Sequence, residues 1–238
     1  MVNEAQARIW ALISDHAVKR GGPISVQDVC TAGAEAIAVD GVGLSLLAGR
    51  RLEPLHVVGR LGREVVEAEL TTGDGPCVEA ATGDGPVLSE DLASSAAERR
   101  WPLFCQLAAA AGIRAAFAFP LMTQAVRVGV LVLVRHRPGA LAAAEYGHAL
   151  ILADIALLLV LNDQVQINEW ADPLQEPFLG AEIHQAAGMV SVQLNATVEH
   201  AHLRLRAHAF LHGESLSQVA RQVVERRLRF TPDPSPHA

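Results

Sequence analysis

Apolar positions recur with a helical period at the start of the chain. Ala7, Trp10, Ala11, Ser14 and Val18 follow three- and four-residue steps, which predicts a helix over residues 4–19 with this stripe as its apolar face. Gly21-Gly22-Pro23 stops it. Ser25 then opens Ser-Val-Gln-Asp, a capping signature that places Asp28 in the positive first turn of a second helix, running to about Ala38. Residues 42–49 and 55–59 read as two strands joined by a basic turn, Arg50–Pro54. Residues 63–70 look helical. Two Gly-Asp-Gly-Pro runs make 71–86 a loop-rich stretch. A short strand and its exit follow at 87–92, then a helix over 97–112, with Pro102 tolerable near its start. Residues 113–122 and 126–135 are strands, the second apolar enough to be central. A helical pattern returns from about Ala142 to Trp170, and two prolines in 171–178 break it. Three further helices fit at about 178–193, 198–211 and 215–228. The last residues, Thr-Pro-Asp-Pro-Ser-Pro-His-Ala, read as a disordered tail. Paired strands with helices before and after predict an α+β domain with a largely antiparallel sheet, followed by an all-helical segment.

Composition narrows this picture. The chain has 238 residues, half of them apolar, enough for one domain of about 150 residues and a smaller one. The net charge is −7, but it is uneven. Residues 1–177 carry 13 Lys/Arg against 21 Asp/Glu, whereas residues 178–230 carry 6 against 4, with five histidines. A polyanion partner therefore belongs at the C-terminal end. Cys30, Cys77 and Cys105 are far apart and form no Cys-x-x-Cys pair, so neither a disulfide framework nor a zinc site is expected. The N-terminus lacks the basic start and apolar run of a signal peptide. The most apolar run, Ile151–Leu161, is 11 residues long, short for a bilayer. A cytoplasmic protein without a membrane span is expected.

Three segments in order carry a family resemblance: residues 73–92 (GDGPCVEAATGDGPVLSEDL), 100–122 (RWPLFCQLAAAAGIRAAFAFPLM) and 126–135 (VRVGVLVLVR). Over residues 20–160 the chain resembles the GAF domains of actinobacterial regulators. The C-terminal part resembles an ANTAR domain, through Ile183, Ala186 and Gly188, then Ala201, Leu205, Arg206 and Ala209, then Leu216, Val219, Ala220, Val223 and Val224. The resemblance implies a GAF sensor at 1–160 including the N-terminal helix, a connecting helix and linker at 161–177, an ANTAR module at 178–230 and a tail at 231–238. It further implies a transcription antitermination regulator, whose three-helix module binds tandem hairpins of nascent RNA so that a terminator cannot form. This chain departs from the family pattern at Ala187, where Lys is usual, at Glu214-Ser215, where a basic pair is usual, and at His208, where an aromatic is usual.

Small residues at Ala186, Gly188, Ala201 and Ala209 suggest close helix approach, with Asn195 ending the first helix and Thr197 capping the second. Leu203, Leu205, Val219 and Val223 are the expected core of this module. Arg204, Arg206, His208 and Arg221 are the candidate RNA-binding residues, since RNA recognition combines cations on phosphate with stacking on unpaired bases.

For the sensor, the resemblance implies a small-molecule pocket between sheet and helices. Its candidate lining is Leu46, Cys77, Trp101, Phe104, Phe117 and Phe119. Some GAF domains bind tetrapyrroles through cysteine or use cysteines on methionine sulfoxide. Here nothing in the sequence lowers the pKa of Cys77, so a structural thiol is expected. Gly-Asp-Gly-Pro lacks the Gly-Lys-Ser/Thr ending of a phosphate loop. No nucleophile–base pair and no metal-ligand motif stands out, so no catalytic residue, no metal and no cofactor is expected.

In the connecting helix, Ile151, Ile155, Leu158, Asn162 and Val165 follow the 4-3-4-3 spacing of a coiled-coil seam. A homodimer is the expectation. An alternative is a ligand-binding dimeric scaffold that acts through protein partners with weak or no RNA binding.

Overall fold

The computed structural model describes residues 2–49, 51–123, 126–163 and 180–231. The chain divides into two compact units, Met1–Glu69 with Asp74–Pro173, and Leu70–Gly73 with Leu174–Ala238. Residues 164–179, which include Val165 and all but the first three residues of the expected linker, and the tail from residue 232 lie outside the described residues.

The first unit opens with α1 (Val2–Arg20) and α2 (Val26–Ile37). The expected capping signal forms: the Ser25 amide and hydroxyl both donate to Asp28 Oδ2 at 2.9 Å, and Arg20 Nη2 donates to the same oxygen at 2.7 Å. The inward face of α1 differs from the expected one. Ile9, Ile13 and Ala17 are buried, whereas Ala7, Trp10, Ala11 and Val18 face solvent. The helix carries two apolar stripes, and the one bearing two isoleucines wins the core because it removes more apolar surface from water.

Strand β1 (Gly41–Ala48) pairs antiparallel with β2 (Arg51–Val58), with Ala48 opposite Arg51. Gly49 leaves β1 at φ +64°, and Arg51–Pro54 belongs to the strand rather than to a basic turn. Pro54 is tolerated because β2 lies at the edge of the sheet, beside a register shift at Leu44/Ser45. Next come α3 (Gly59–Thr72), α4 (Pro76–Thr82), β3 (Val87–Ser89), α5 (Ser95–Arg100), α6 (Pro102–Ala111), β4 (Ala115–Met122), β5 (Arg127–Arg135) and α7 (Ala143–Asp163). The five strands run β2-β1-β5-β4-β3, every neighbour antiparallel, with β5 central as its composition predicts.

Two elements depart from expectation for the same reason, a proline at a helix start. Pro76 is the first helical residue of α4 within the stretch read as loop, with Gly75 before it at φ +140°. Pro102 begins a new helix instead of sitting inside one. Trp101 before it is held at φ −135°, ψ 68°, outside the helical region, so α5 and α6 meet at a corner.

Alternation along the strands sorts two layers. Val42, Leu44, Phe117, Phe119, Leu121, Leu131 and Leu133 share one core with α1, α2 and α7. On the other face, Ala116 and Ala118 lie under α4, and a Cβ on Gly43 would meet Val66 of α3 at 2.8 Å. A Cβ on Gly41 would stand 2.2 Å from the Gly62 amide nitrogen, so α3 rests directly on β1 backbone.

Among the described residues one helix, Ala143–Asn162, is long and apolar enough to cross a membrane, with mean hydropathy 1.7. It thus exceeds the 11-residue run read from the sequence. In this fold Leu152, Ala153, Ile155, Ala156, Leu157 and Val160 spend that apolarity on the domain core.

The second unit holds α8 (Ala181–Leu194), α9 (Val198–His212) and α10 (Leu216–Val224). Asn195 ends α8 at φ 50°, ψ 49°, and Thr197 accepts from the His200 amide at 3.2 Å, both as expected. Ser215 and Gln218 form a capping box on α10. That helix stops at Val224 because Arg226 turns left-handed at φ 62°, so the arginine run 226–229 lies beyond it. Ile183, Ala186, Ala187, Val190, Ala201, Leu205, Ala209, Leu216, Val219, Ala220 and Val223 form one core.

Two expectations for this core are corrected. Leu203 is 63% exposed and fills nothing, because its position on α9 points away from both neighbours. Gly188 makes no close approach: a Cβ added there meets nothing within 4 Å. Gly188→Ala should therefore raise stability by about 1 kcal/mol through helix propensity alone. A rise in the urea midpoint at constant slope is the measurement, and a loss of stability would reveal a crowded backbone.

Candidate functional site

The six residues expected to line one pocket are divided by the sheet. Leu46, Phe117 and Phe119 belong with the α1–α2–α7 layer, and Phe119 packs on Tyr146 with ring centroids 5.6 Å apart. Cys77, Trp101 and Phe104 lie on elements of the opposite layer. Residues of β4 alternate between faces, so aromatics two apart share a face that α4 and α6 never see.

On the α4 side the residues form a tight polar clamp. Glu79 accepts from Arg100 Nε at 2.8 Å and from the Trp101 indole at 3.1 Å, and a second Arg100 nitrogen, Nη2, pairs with its other oxygen. The Arg100 guanidinium lies 4.6 Å from the Trp101 ring centroid, and Trp101 meets Phe104 edge-to-face at 6.4 Å. This fixes α4 to the α5–α6 corner. Beneath it, the Cys77 amide donates to Glu69 Oε1 at 2.7 Å. A Cβ at Gly75 would fall 2.7 Å from that oxygen and 3.0 Å from Phe104, so the turn requires glycine by space as well as by φ. Burial pushes the Glu69 carboxyl up to about 7. Burial, and then the nearby Glu69, pushes the Cys77 thiol well up. Cys77 is thus a buried thiol held protonated, unsuited to nucleophilic attack. Burial likewise raises Cys30 to about 12 and Cys105 to about 11.

A cavity of about 340 Å³ opens elsewhere in this layer, between the segment after β3 and helix α6. Leu92, Pro102, Cys105 and Ile113 give it apolar walls, and Glu98, Gln106 and Arg114 bring polar groups. Arg114 Nη2 donates to Asp91 Oδ1 at 3.0 Å, which also accepts from the Ala93 amide at 3.0 Å. Those bonds, the backbone one foremost, hold the Asp91 carboxyl below its ordinary range. None of the six expected residues lines this cavity. A cavity made by a loop and a helix leaves no period in the sequence, so no signal there pointed to it. Its size and mixed walls suit a small molecule with one apolar and one charged end.

The expected seam on α7 is also divided. Ile155 is buried, Ile151 is half-buried, Leu158 is 63% exposed and Asn162 is exposed. The free apolar stripe is Leu150, Leu158 and Leu161, rotated from the expected seam.

In the helical unit, Arg221 is exposed and its Nε stands 3.4 Å from Glu182 Oε2. Arg204, Arg206 and His208 are half-buried, and Arg206 Nε donates to the Leu70 carbonyl, in the same compact unit, at 2.9 Å. His208 is stacked on His212 with centroids 3.9 Å apart and meets Phe230 edge-to-face at 5.4 Å. Burial, and then the neighbouring His212, hold the His208 imidazolium below the usual histidine range. Ala187 is fully buried, so alanine in place of the usual lysine removes no cation from this surface. Among the described residues no cluster of three or more His, Cys, Asp or Glu could hold a metal ion.

Residues 15–159 match the family described as GAF domain. No curated protein matches the chain. The GAF domain of a phosphoenolpyruvate-protein phosphotransferase from Coxiella burnetii is similar in fold, with TM-score 0.50 at 13% identity, over 69% of this chain and 98% of that one. The corresponding Acinetobacter domain gives 0.48 at 16% identity, over 71% and 98%. A domain of a two-component sensor histidine kinase protein from Sinorhizobium meliloti gives 0.47 at 19% identity, over 59% and 90%.

Proposed function

The chain belongs to the GAF domain family, small-molecule-sensing domains of signalling proteins, and on that premise we propose that it is a cytoplasmic, non-enzymatic antitermination regulator. The GAF unit binds a small molecule in the cavity beside Arg114. The helical unit acts as an ANTAR module that binds hairpin loops of nascent RNA and prevents terminator formation. The observation that carries this reading is the helical trio itself: Ala186, Ala201 and Ala209 are fully buried among its helices, while Arg221 is exposed and Arg204 half-buried on their outer faces. A homodimer suits the tandem hairpins of such targets. The exposed apolar groups Trp10 and Val18 of α1 and Leu150, Leu158 and Leu161 of α7, helices that pack together, supply a face for the second copy.

The test is binding to a tandem-hairpin RNA by electrophoretic mobility shift. Arg204→Ala combined with Arg221→Ala should weaken binding about 10-fold or more, and binding should fall steeply with salt. Affinity indifferent to hairpin-loop sequence and to both substitutions would overturn the reading. The second reading is a ligand-binding dimeric scaffold that acts through proteins. The pairing of Arg221 with Glu182, and Glu214 near His208, favour it by reducing free positive charge.

A further inference from the structure

On α9 the residues His200, Arg204, His208 and His212 stand four apart. Successive members advance by about 6 Å and drift slowly round the helix, so they make a continuous ridge. His200 and His212 are exposed, and Arg204 and His208 half-buried. Leu203, 63% exposed, and Leu211, 80% exposed, flank it. We propose that this ridge is an acid-strengthened binding surface for single-stranded RNA, in which phosphates bind between imidazolium groups and the flanking leucines face the bases. The proposal rests on the RNA-binding reading and adds its regulation.

The charge arithmetic is large for so small a unit. Residues 178–230 hold 6 arginines and 4 carboxylates, a net of +2, and five histidines that bring it to +7 when protonated. The surroundings favour a proton-linked response. Beside the ridge on its own helix is Glu199, and from the following turn comes Glu214, which accepts from Gln222 Nε2 at 2.9 Å. Helix α8 contributes Glu182, paired with Arg221 of α10, and His184, edge-to-face with His202 at 6.0 Å. Beyond α10 lie Glu225, paired with Arg227, together with Arg226 and Arg229. In the free protein, burial and then the His212 ring stacked 3.9 Å away disfavour protonation of His208, because two imidazolium rings at that distance repel. A phosphate bridging the edges of the two rings reverses that. It favours the charged form of the His208 ring in the bound state, so binding takes up protons and tightens as pH falls.

The test compares tandem-hairpin RNA with loop-scrambled RNA at pH 8.0 and pH 5.5, at fixed ionic strength. The expected result is a gain of about 10- to 100-fold in affinity at the lower pH, with the salt slope steeper by about 2. The triple variant His200→Gln, His208→Gln, His212→Gln should lose most of that gain. Should it fold poorly, His200→Lys with His212→Lys gives the second arm, binding at pH 8.0 nearly as well as the unsubstituted chain does at pH 5.5. An affinity ratio below about twofold, or one that survives in the triple variant, overturns the proposal. Loop-dependent binding with a flat pH profile would sink the ridge and leave the antitermination reading standing. Acid tightening without loop preference would do the opposite.

Discussion

Phe119→Ala should cost about 3–5 kcal/mol of stability while leaving small-molecule binding by the folded protein unchanged. Phe119 is fully buried between β4 and the α1–α2–α7 layer and packs on Tyr146. Truncation leaves a void that rigid neighbours on a sheet cannot close, so the loss combines transfer energy with the cavity left behind. Urea denaturation of the variant measures the cost. Isothermal titration with a ligand identified for the parent measures the second half. Loss of ligand affinity at a modest stability cost would show instead that Phe119 lines the binding pocket.

The second large effect is pH-dependent. Glu69 is buried, accepts from the Cys77 amide, and has its carboxyl pushed from the ordinary 4.5 to about 7. A carboxyl with a raised folded-state value binds its proton more tightly folded than unfolded. Its stabilising contribution is complete below about pH 4.5 and is lost as pH rises through about 7. The shift corresponds to roughly 3 kcal/mol. Stability measured by urea at pH 5 and pH 8 should therefore fall by about that amount in the parent chain, beyond any change shared with Glu69→Gln. Gln keeps an acceptor for the Cys77 amide and cannot ionise. Identical pH profiles for the two proteins would show that Glu69 is hydrated and titrates normally.

Much of the fold was legible because local chemistry carried it. Ser25 with Asp28, Asn195, Thr197 and the run Arg127–Arg135 each announced a cap, a turn or a central strand, and the structure has them there. The errors share a different origin. On α1 two stripes were apolar, and periodicity cannot say which one a neighbouring layer will cover. On α7 the 4-3-4-3 spacing was real, yet the GAF core took Ile155 and left Leu158 outside. Leu203 looked like core because it is a leucine, but on α9 the alanines and Leu205 take the inner face.

The candidate site was the least legible part. Aromatic scarcity suggested one pocket from six residues, and the pleat of β4 sends two of them to the wrong face. The cavity at Arg114 joins a loop after β3 to α6 and is lined by residues with no common period.

From the sequence alone came the identity and order of most of the elements, the caps at Ser25, Asn195 and Thr197, the antiparallel α+β class and the concentration of histidine and arginine at the C-terminal end. These follow from backbone geometry and short-range hydrogen bonds, which act within a few residues and leave a mark there. Tertiary structure alone decided which apolar stripe is buried, which face of the sheet each side chain joins, where a cavity remains and which charges are paired. Those outcomes depend on what stands opposite a residue in space, and close packing selects that partner across long stretches of chain.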